Sequence, residues 1–320
     1  MTRYFVRRLL LLIPTMIGVT FLVFLLVRII PGGAASALLG EGATAQQVQQ
    51  VKHQLGLDQP LITQYFKWIG SVFSGDLGRS VQTHNRISHD ISTRIGWTFE
   101  LGILALIFSQ LIALPVGIIS AIKQDTVLDY IARSLAIAFL AIPSFWLATL
   151  LIVYGATGVP LGFTTFHFTP PLGSEISKSL SANLKLIVPP AIILGVSLTG
   201  SIMRLTRTQM LEVMRQDYIR TANAKGLRLQ VIIARHALRN AFIPVLTIIG
   251  LQVPVLVGGT VVLEQIFSLP GMGQYLIIAI NQRDFTIIQG VVLISASVVL
   301  LSNLVVDFLY PLLDPRIRYA

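Results

Sequence analysis

The chain has 320 residues, no cysteine, 54% hydrophobic and 12% charged residues, and a formal net charge of +10. A soluble domain carries about 25% charged residues, so this chain has too little charge to cover a water-facing surface, and lipid must take the place of water. Lack of cysteine excludes disulfides, thiolate metal sites, iron–sulfur clusters and cysteine nucleophiles, and cations set beside apolar runs fit membrane sorting rather than nucleic-acid binding.

Six stretches free of Asp, Glu, Lys, Arg and His follow one another: Leu9–Val27, Leu101–Ile122, Ser134–Thr157, Leu186–Met203, Ala241–Leu263 and Thr286–Val306. A spanning helix needs about 20 apolar residues, and none of these runs alternates with the period of a barrel strand. They predict an all-α polytopic membrane protein with six transmembrane helices. The first, within 1–31, follows Arg3, Arg7 and Arg8 and precedes Arg28, Pro31-Gly32-Gly33 and Ala35-Ser36-Ala37. That pattern imitates a signal peptide, but the apolar run is longer than the usual core of about 7–15 residues, so a retained helix is expected.

Residues 32–97 form a predicted extracytoplasmic segment, too long for a mere connector. Within it Thr44 can cap a helix over Ala45–Leu55 stopped by Gly56, and Pro60 can open a second over Leu61–Phe73 bearing Tyr65, Phe66 and Trp68. Gly75-Asp76-Leu77-Gly78 reads as a turn. The segment can be a cap with its aromatics at the membrane interface, or a docking surface for another protein.

Residues 98–311 hold the remaining five spans. Pro14, Pro115, Pro143, Pro244 and Pro254 predict kinks, and Pro189-Pro190 falls in the weakest run. Between the fourth and fifth spans, 204–240 carries Arg204, Arg207, Arg215, Arg220, Lys225, Arg228, Arg235 and Arg239. This density places the segment in the cytoplasm, and with it both termini, including a short tail over 312–320. Inside it Asp217 suits an N-cap, Tyr218–Lys225 can make two helical turns, and Gly226 suits a C-terminal stop. Thr221, Ala222 and Ala224 would give that helix a small surface that another protein can approach. Val231, Ile232 and Ile233, mixed with arginines, resemble an amphipathic stretch at the membrane surface. From the residues alone, a partner-free basic hairpin and a docking element remain equally open.

The run Asp217-Tyr218-Ile219-Arg220-Thr221-Ala222-Asn223-Ala224-Lys225-Gly226-Leu227, followed by Arg235-His236-Ala237-Leu238-Arg239-Asn240-Ala241 and Ile243-Pro244, resembles the peptide-type "EAA" loop. That loop marks permease subunits of ABC importers of the dipeptide, oligopeptide and nickel class. Arg7-Arg8-Leu9-Leu10, Leu55-Gly56-Leu57-Asp58-Gln59-Pro60, Gly75-Asp76-Leu77-Gly78-Arg79-Ser80 and Phe267-Ser268-Leu269-Pro270-Gly271-Met272-Gly273 extend the resemblance along nearly the whole chain. Arg220, Thr221 and Ala222 replace the Glu-Ala-Ala of the broad consensus, Asn223 stands where the peptide type usually has Arg, and Gly33 where it usually has Asp.

The resemblance implies a type I ABC importer permease fold in a prokaryotic cytoplasmic membrane. It also implies a second related permease subunit, two ATPase subunits that bind ATP and Mg, an external solute-binding protein and a peptide substrate. Asp217, Tyr218, Ile219, Arg220, Thr221, Ala222, Ala224, Lys225, Gly226 and Leu227 would then form the ATPase-coupling helix. Ser144, Ser197, Gln252 and Asn303 are candidates for the translocation path, with Ser109, Gln110 and Ser201 among further polar residues in the spans.

No G-x-x-x-x-G-K-[ST] occurs, so this chain has no phosphate cradle of that type. The six runs lack the buried ionisable groups usual in proton-coupled carriers; Arg28, Glu100, Arg133, Glu264 and Asp307 sit at their ends. A gradient-driven secondary transporter or a nickel-chelate importer are the alternatives. The five histidines lack metal-site spacing, although His84 and His89 lie near Asp90. No nucleophile–base or paired-carboxylate arrangement suggests an enzyme.

Overall fold

A computed structural model describes residues 2–29, 44–54, 57–161, 164–166 and 180–313. The Pro31-Gly32-Gly33 turn, the Ala35-Ser36-Ala37 site, the Gly56 stop and the tail from 314 lie outside them. Contacts divide the chain into two compact units: the chain up to Trp97 with Pro270–Leu304, and Thr98–Leu269 with the segment from Val305.

Among the described residues, five helical stretches are long and apolar enough to cross a membrane: Val6–Leu25, Ile87–Ile122, Asn183–Met214, Leu229–Pro254 and Phe285–Phe308. The third expected span is not one helix. Val127–Ala141 and Ser144–Thr157 meet at an 87° bend, and counting the pair as one span gives six. The cause is Pro143: the ring disfavours helical torsions in the preceding residue, and Ile142 sits at φ −85°, ψ 118°. The other span prolines, Pro14, Pro115, Pro189, Pro190, Pro244 and Pro254, lie inside unbroken helices. A short antiparallel ribbon, Val159–Leu161 against Thr164–Phe166, follows the broken span and adds a minor strand element to the all-α plan.

In the Thr98–Leu269 unit, four helices share one core. Ala113 on the Ile87–Ile122 helix, Ala136 on Val127–Ala141, Ile202 and Met203 on Leu180–Met214, and Val245 on Leu238–Ile266 are buried together. Small residues let membrane helices approach closely. A Cβ on Gly117 would stand 2.8 Å from the Met203 carbonyl oxygen and 2.9 Å from Thr206 Cβ, so only glycine fits there.

In the other unit, Ile87 and Ile91 pack with Met272, Tyr275 and Ala279 of the Met272–Asn281 helix and with Ile287 and Val291 of the Phe285–Leu313 helix. Buried Asp284 accepts from Ser80 Oγ at 2.7 Å and from the Val81 amide at 2.9 Å, pinning the 80–82 loop to the start of that helix. Tyr275 donates to Asp90 at 2.9 Å, and burial followed by this bond pushes its phenol above the usual range.

Two short helices follow the first span, Ala45–Gln54 and Leu61–Phe73. Thr44 Oγ1 accepts from the Gln47 amide while Gln47 Oε1 accepts from the Thr44 amide at 2.9 Å, a reciprocal capping box ahead of Ala45–Gln54. Leu61–Phe73 turns Tyr65 and Trp68 onto the first helix: Tyr65 OH lies 2.8 Å from Thr20 Oγ1, and both rings contact Phe24. Leu61, Ile62, Phe66 and Phe73 stay exposed on the same helix.

Candidate ATPase-coupling site

The Asp217–Ala224 helix is two turns long, and its ends explain its length. At the start the cap position is Gln216, without a side-chain bond, so Asp217 is the first helical residue and not the expected N-cap. Its carboxylate still favours the positive end of the helix dipole. At the other end Gly226 takes φ +75°, its amide donates to the Asn223 carbonyl at 2.9 Å, and the Leu227 amide donates to Ala222 at 3.3 Å. This pair of bonds is a Schellman motif, and a residue other than glycine would lose about 1–2 kcal/mol there.

Two side chains anchor the helix. Ile219 and Ala222, three apart and therefore on one face, are buried with Ala121, Met210, Ile232, Ala237 and Ala241. The cluster joins the ends of three long helices, so the short helix sits on all of them at once. Asn240 Nδ2 adds a bond to Tyr218 OH at 2.9 Å. The remaining members, Asp217, Tyr218, Arg220, Thr221, Asn223, Ala224, Lys225, Gly226 and Leu227, are exposed. The small outward surface is therefore Thr221 and Ala224; Ala222 does not belong to it, because it faces the chain's own core.

The segment after the helix also departs from expectation. It is not a separate helix but the start of the next span. A single turn, Leu229–Val231, passes into a π-helical turn, Ile232–Ala237, which runs directly into Leu238–Ile266. Ile232 and Ala237 point into the cluster, whereas Arg235 and Arg239 are exposed. The segment from Leu229 thus leads without a break into the span that holds Pro244.

Comparison with known proteins supplies the family. Residues 113–319 match the binding-protein-dependent transport system inner membrane component, and residues 1–102 match the N-terminal part of such membrane components. The chain belongs to the binding-protein-dependent transport system inner membrane component family. It is 41% identical to the dipeptide transport system permease protein of Alkalihalophilus pseudofirmus, over all of both chains. It is 40% identical to the di/tripeptide transport system permease protein of Pseudomonas aeruginosa and 38% identical to the dipeptide transport system permease protein of Escherichia coli K12; each match covers all of this chain and 99% of the relative. The protein is thus a multi-pass membrane permease of an ABC importer, which works with a solute-binding protein and an ATPase.

The four path candidates of the permease lie on four different helices. Ser144 opens the second half of the broken span, and Ser197 Oγ donates to the Ile193 carbonyl of its own helix at 3.3 Å. Gln252 donates to Ser201 Oγ at 3.0 Å, joining two spans of one unit, whereas Asn303 belongs to the other unit. Ser109 Oγ and both amide heteroatoms of Gln110 are buried without a hydrogen-bond partner among the described residues.

The permease also carries ionisable groups that the charge-free runs missed. Asp129, fully buried in the first half of the broken span, receives Arg207 Nε at 2.7 Å and Nη2 at 2.8 Å. Both residues lie just beyond the ends of the sequence runs, which began at Ser134 and ended at Met203. The signal that could have found them is an Asp and an Arg flanking adjacent apolar runs on the same predicted side. Of the groups expected at span ends, Glu264 is buried and accepts from Thr98 Oγ1 at 2.8 Å, and Glu100 accepts from Asn183 at 3.0 Å.

Proposed function

We propose that this permease moves di- and oligopeptides across the cytoplasmic membrane of a prokaryote, paired with a second related permease subunit and driven by two ATPase subunits that bind ATP and Mg. Both termini and the 204–240 loop lie in the cytoplasm, and 32–97 faces the solute-binding protein. The peptide reading rests on relatives named for dipeptide and di/tripeptide transport that match along the full length.

The observation that carries the coupling role is the two-faced Asp217–Ala224 helix. Its inner face, Ile219 and Ala222, is fixed to the ends of three long helices, and its outer face, Thr221, Ala224 and Lys225, is exposed for a partner. A push on the outer face reaches Met210, Ala121 and Ala241 through close-packed contacts that do not compress. Hydrolysis then belongs to the partners, while this chain converts their closure into helix movement. Ser144, Ser197, Gln252 and Asn303, all uncharged and polar, are each candidates for contact with the passing solute, leaving selectivity for the peptide to the binding protein.

The test is uptake of tritiated dialanine into proteoliposomes holding the complete importer. ATP-dependent uptake that vanadate blocks and an ionophore leaves intact is the expected result. Uptake that survives ATP depletion and collapses with the ionophore would identify a gradient-driven carrier instead.

A further inference from the structure

We propose that the Asp129–Arg207 ion pair is a positioning strut that locks the first half of the broken span to the two helix ends on which the coupling helix sits. The inference rests on the coupling reading above and adds residues outside the coupling segment to it. The carboxylate of Asp129 is fully occupied. Its Oδ1 accepts from Arg207 Nε at 2.7 Å and from Ser120 Oγ at 2.5 Å; its Oδ2 accepts from Arg207 Nη2 at 2.8 Å and from the Asp125 amide at 3.0 Å. Those donors come from three places: the end of the Ile87–Ile122 helix, the turn after it, and the Leu180–Met214 helix.

Each attachment lies next to the seat of the coupling helix. Ser120 precedes Ala121, and Arg207 lies three residues before Met210, hence on the same helical face; Ala121 and Met210 both pack in the cluster with Ile219 and Ala222. Asp129 itself stands in the first turn of Val127–Ala141, the helix that ends at the 87° bend. A displacement of the coupling helix therefore reaches the broken span through two charge-assisted bonds in a forked geometry, which resists both stretching and rotation.

In the turn, Asp125 adopts φ +61°, a left-handed conformation that Asp takes more readily than most residues with a side chain, and its amide donates to Asp129 Oδ2. A buried ion pair is weak evidence for added stability, because desolvation offsets the attraction, and fixing one arrangement of elements is a better-attested use.

The experiment uses the whole importer in proteoliposomes, with tritiated dialanine as the transported probe and two readouts: ATPase subunits retained per permease, and dialanine moved per ATP hydrolysed. Asp129→Asn and Arg207→Gln are each expected to keep the ATPase subunits bound and hydrolysing while lowering dialanine per ATP about fivefold. Asp129→Asn/Arg207→Gln removes both charges, leaves neither buried alone, and so remains informative if a single variant does not assemble. The double variant is expected to show the same fall, and Arg207→Lys, which keeps the charge but loses the fork, an intermediate one. A double variant with unchanged dialanine per ATP would overturn the strut, and so would one that sheds its ATPase subunits, since the outer face of the coupling helix is untouched. Failure of the coupling reading shows elsewhere: ATPase subunits would stay bound and fully coupled when Thr221 and Ala224 are both replaced by Trp.

Discussion

Ala222 and Thr221 are neighbours in the chain and opposites in the fold. Ala222 is buried with Met210 and Ile232, and Thr221 is exposed on the outer face. Replacing Ala222 with Trp forces a large ring into a filled cluster and should lower stability by about 1–3 kcal/mol, read as a lower melting temperature of the detergent-solubilised permease. Thr221→Trp should leave that temperature unchanged and instead release ATPase subunits during purification. Gly226→Val acts on the backbone, since no β-branched residue tolerates φ +75°; a loss of about 1–2 kcal/mol is expected, seen as faster amide exchange across 217–227. Gly226 was legible as a helix stop because glycine after a short helical run has one common use. The inward side of Ala222 was not, because an eight-residue helix offers too few apolar positions to define a face before its neighbours are known.

Charge-free runs located the helices because lipid penalises charge at mid-span. Their ends were less well defined. The rule that delimited the third run at Ser134 also discarded Asp129, whose charge is tolerated inside because Arg207 neutralises it. Proline was similarly ambiguous. Seven prolines in the spans share one chemistry, yet Pro143 breaks its helix while the six others sit within theirs, so the presence of a proline did not say which span would break. Pro143→Ala restores an amide donor and frees Ile142 for helical torsions. Spin labels at Ile131 and Val153 should then move apart, and uptake should fall. Unchanged label distances would mean that packing, rather than the proline, imposes the bend. Outside the spans, Asp284→Ala removes the acceptor of Ser80 and Val81 and should cost about 1–3 kcal/mol of local stability. Limited proteolysis would report it as faster cleavage within 79–86.

For the molecule as a whole, family membership and the transport class follow from matches that span the full chain, and the residues already carried that resemblance in several separated motifs. What one sequence could not supply was the inside of the machine. Distances such as that between Asp129 and Arg207, 78 positions apart, depend on how the spans fold back on one another. The division of the chain into two units is less apparent, since its boundaries fall inside the Ile87–Ile122 and Phe285–Leu313 helices rather than in a linker. The proposed orientation rests on the cation count, and labelling tests it at this scale. A membrane-impermeant maleimide added to intact, outer-face-accessible cells should modify Thr83→Cys and spare Lys225→Cys; the reverse pattern would invert the membrane topology.

The claim that the outer face of Asp217–Ala224 is where the ATPase takes hold has a direct test, because the chain has no cysteine of its own. Single cysteines at Thr221, Ala224 or Leu227, in an importer purified with its ATPase subunits, are treated with a short photoactivated thiol cross-linker and separated by mass. A permease–ATPase product from these three positions, with a yield that changes on adding ATP, is the predicted result. No such product from any of them, while a cysteine on the exposed Phe73 position does join the ATPase, would contradict it.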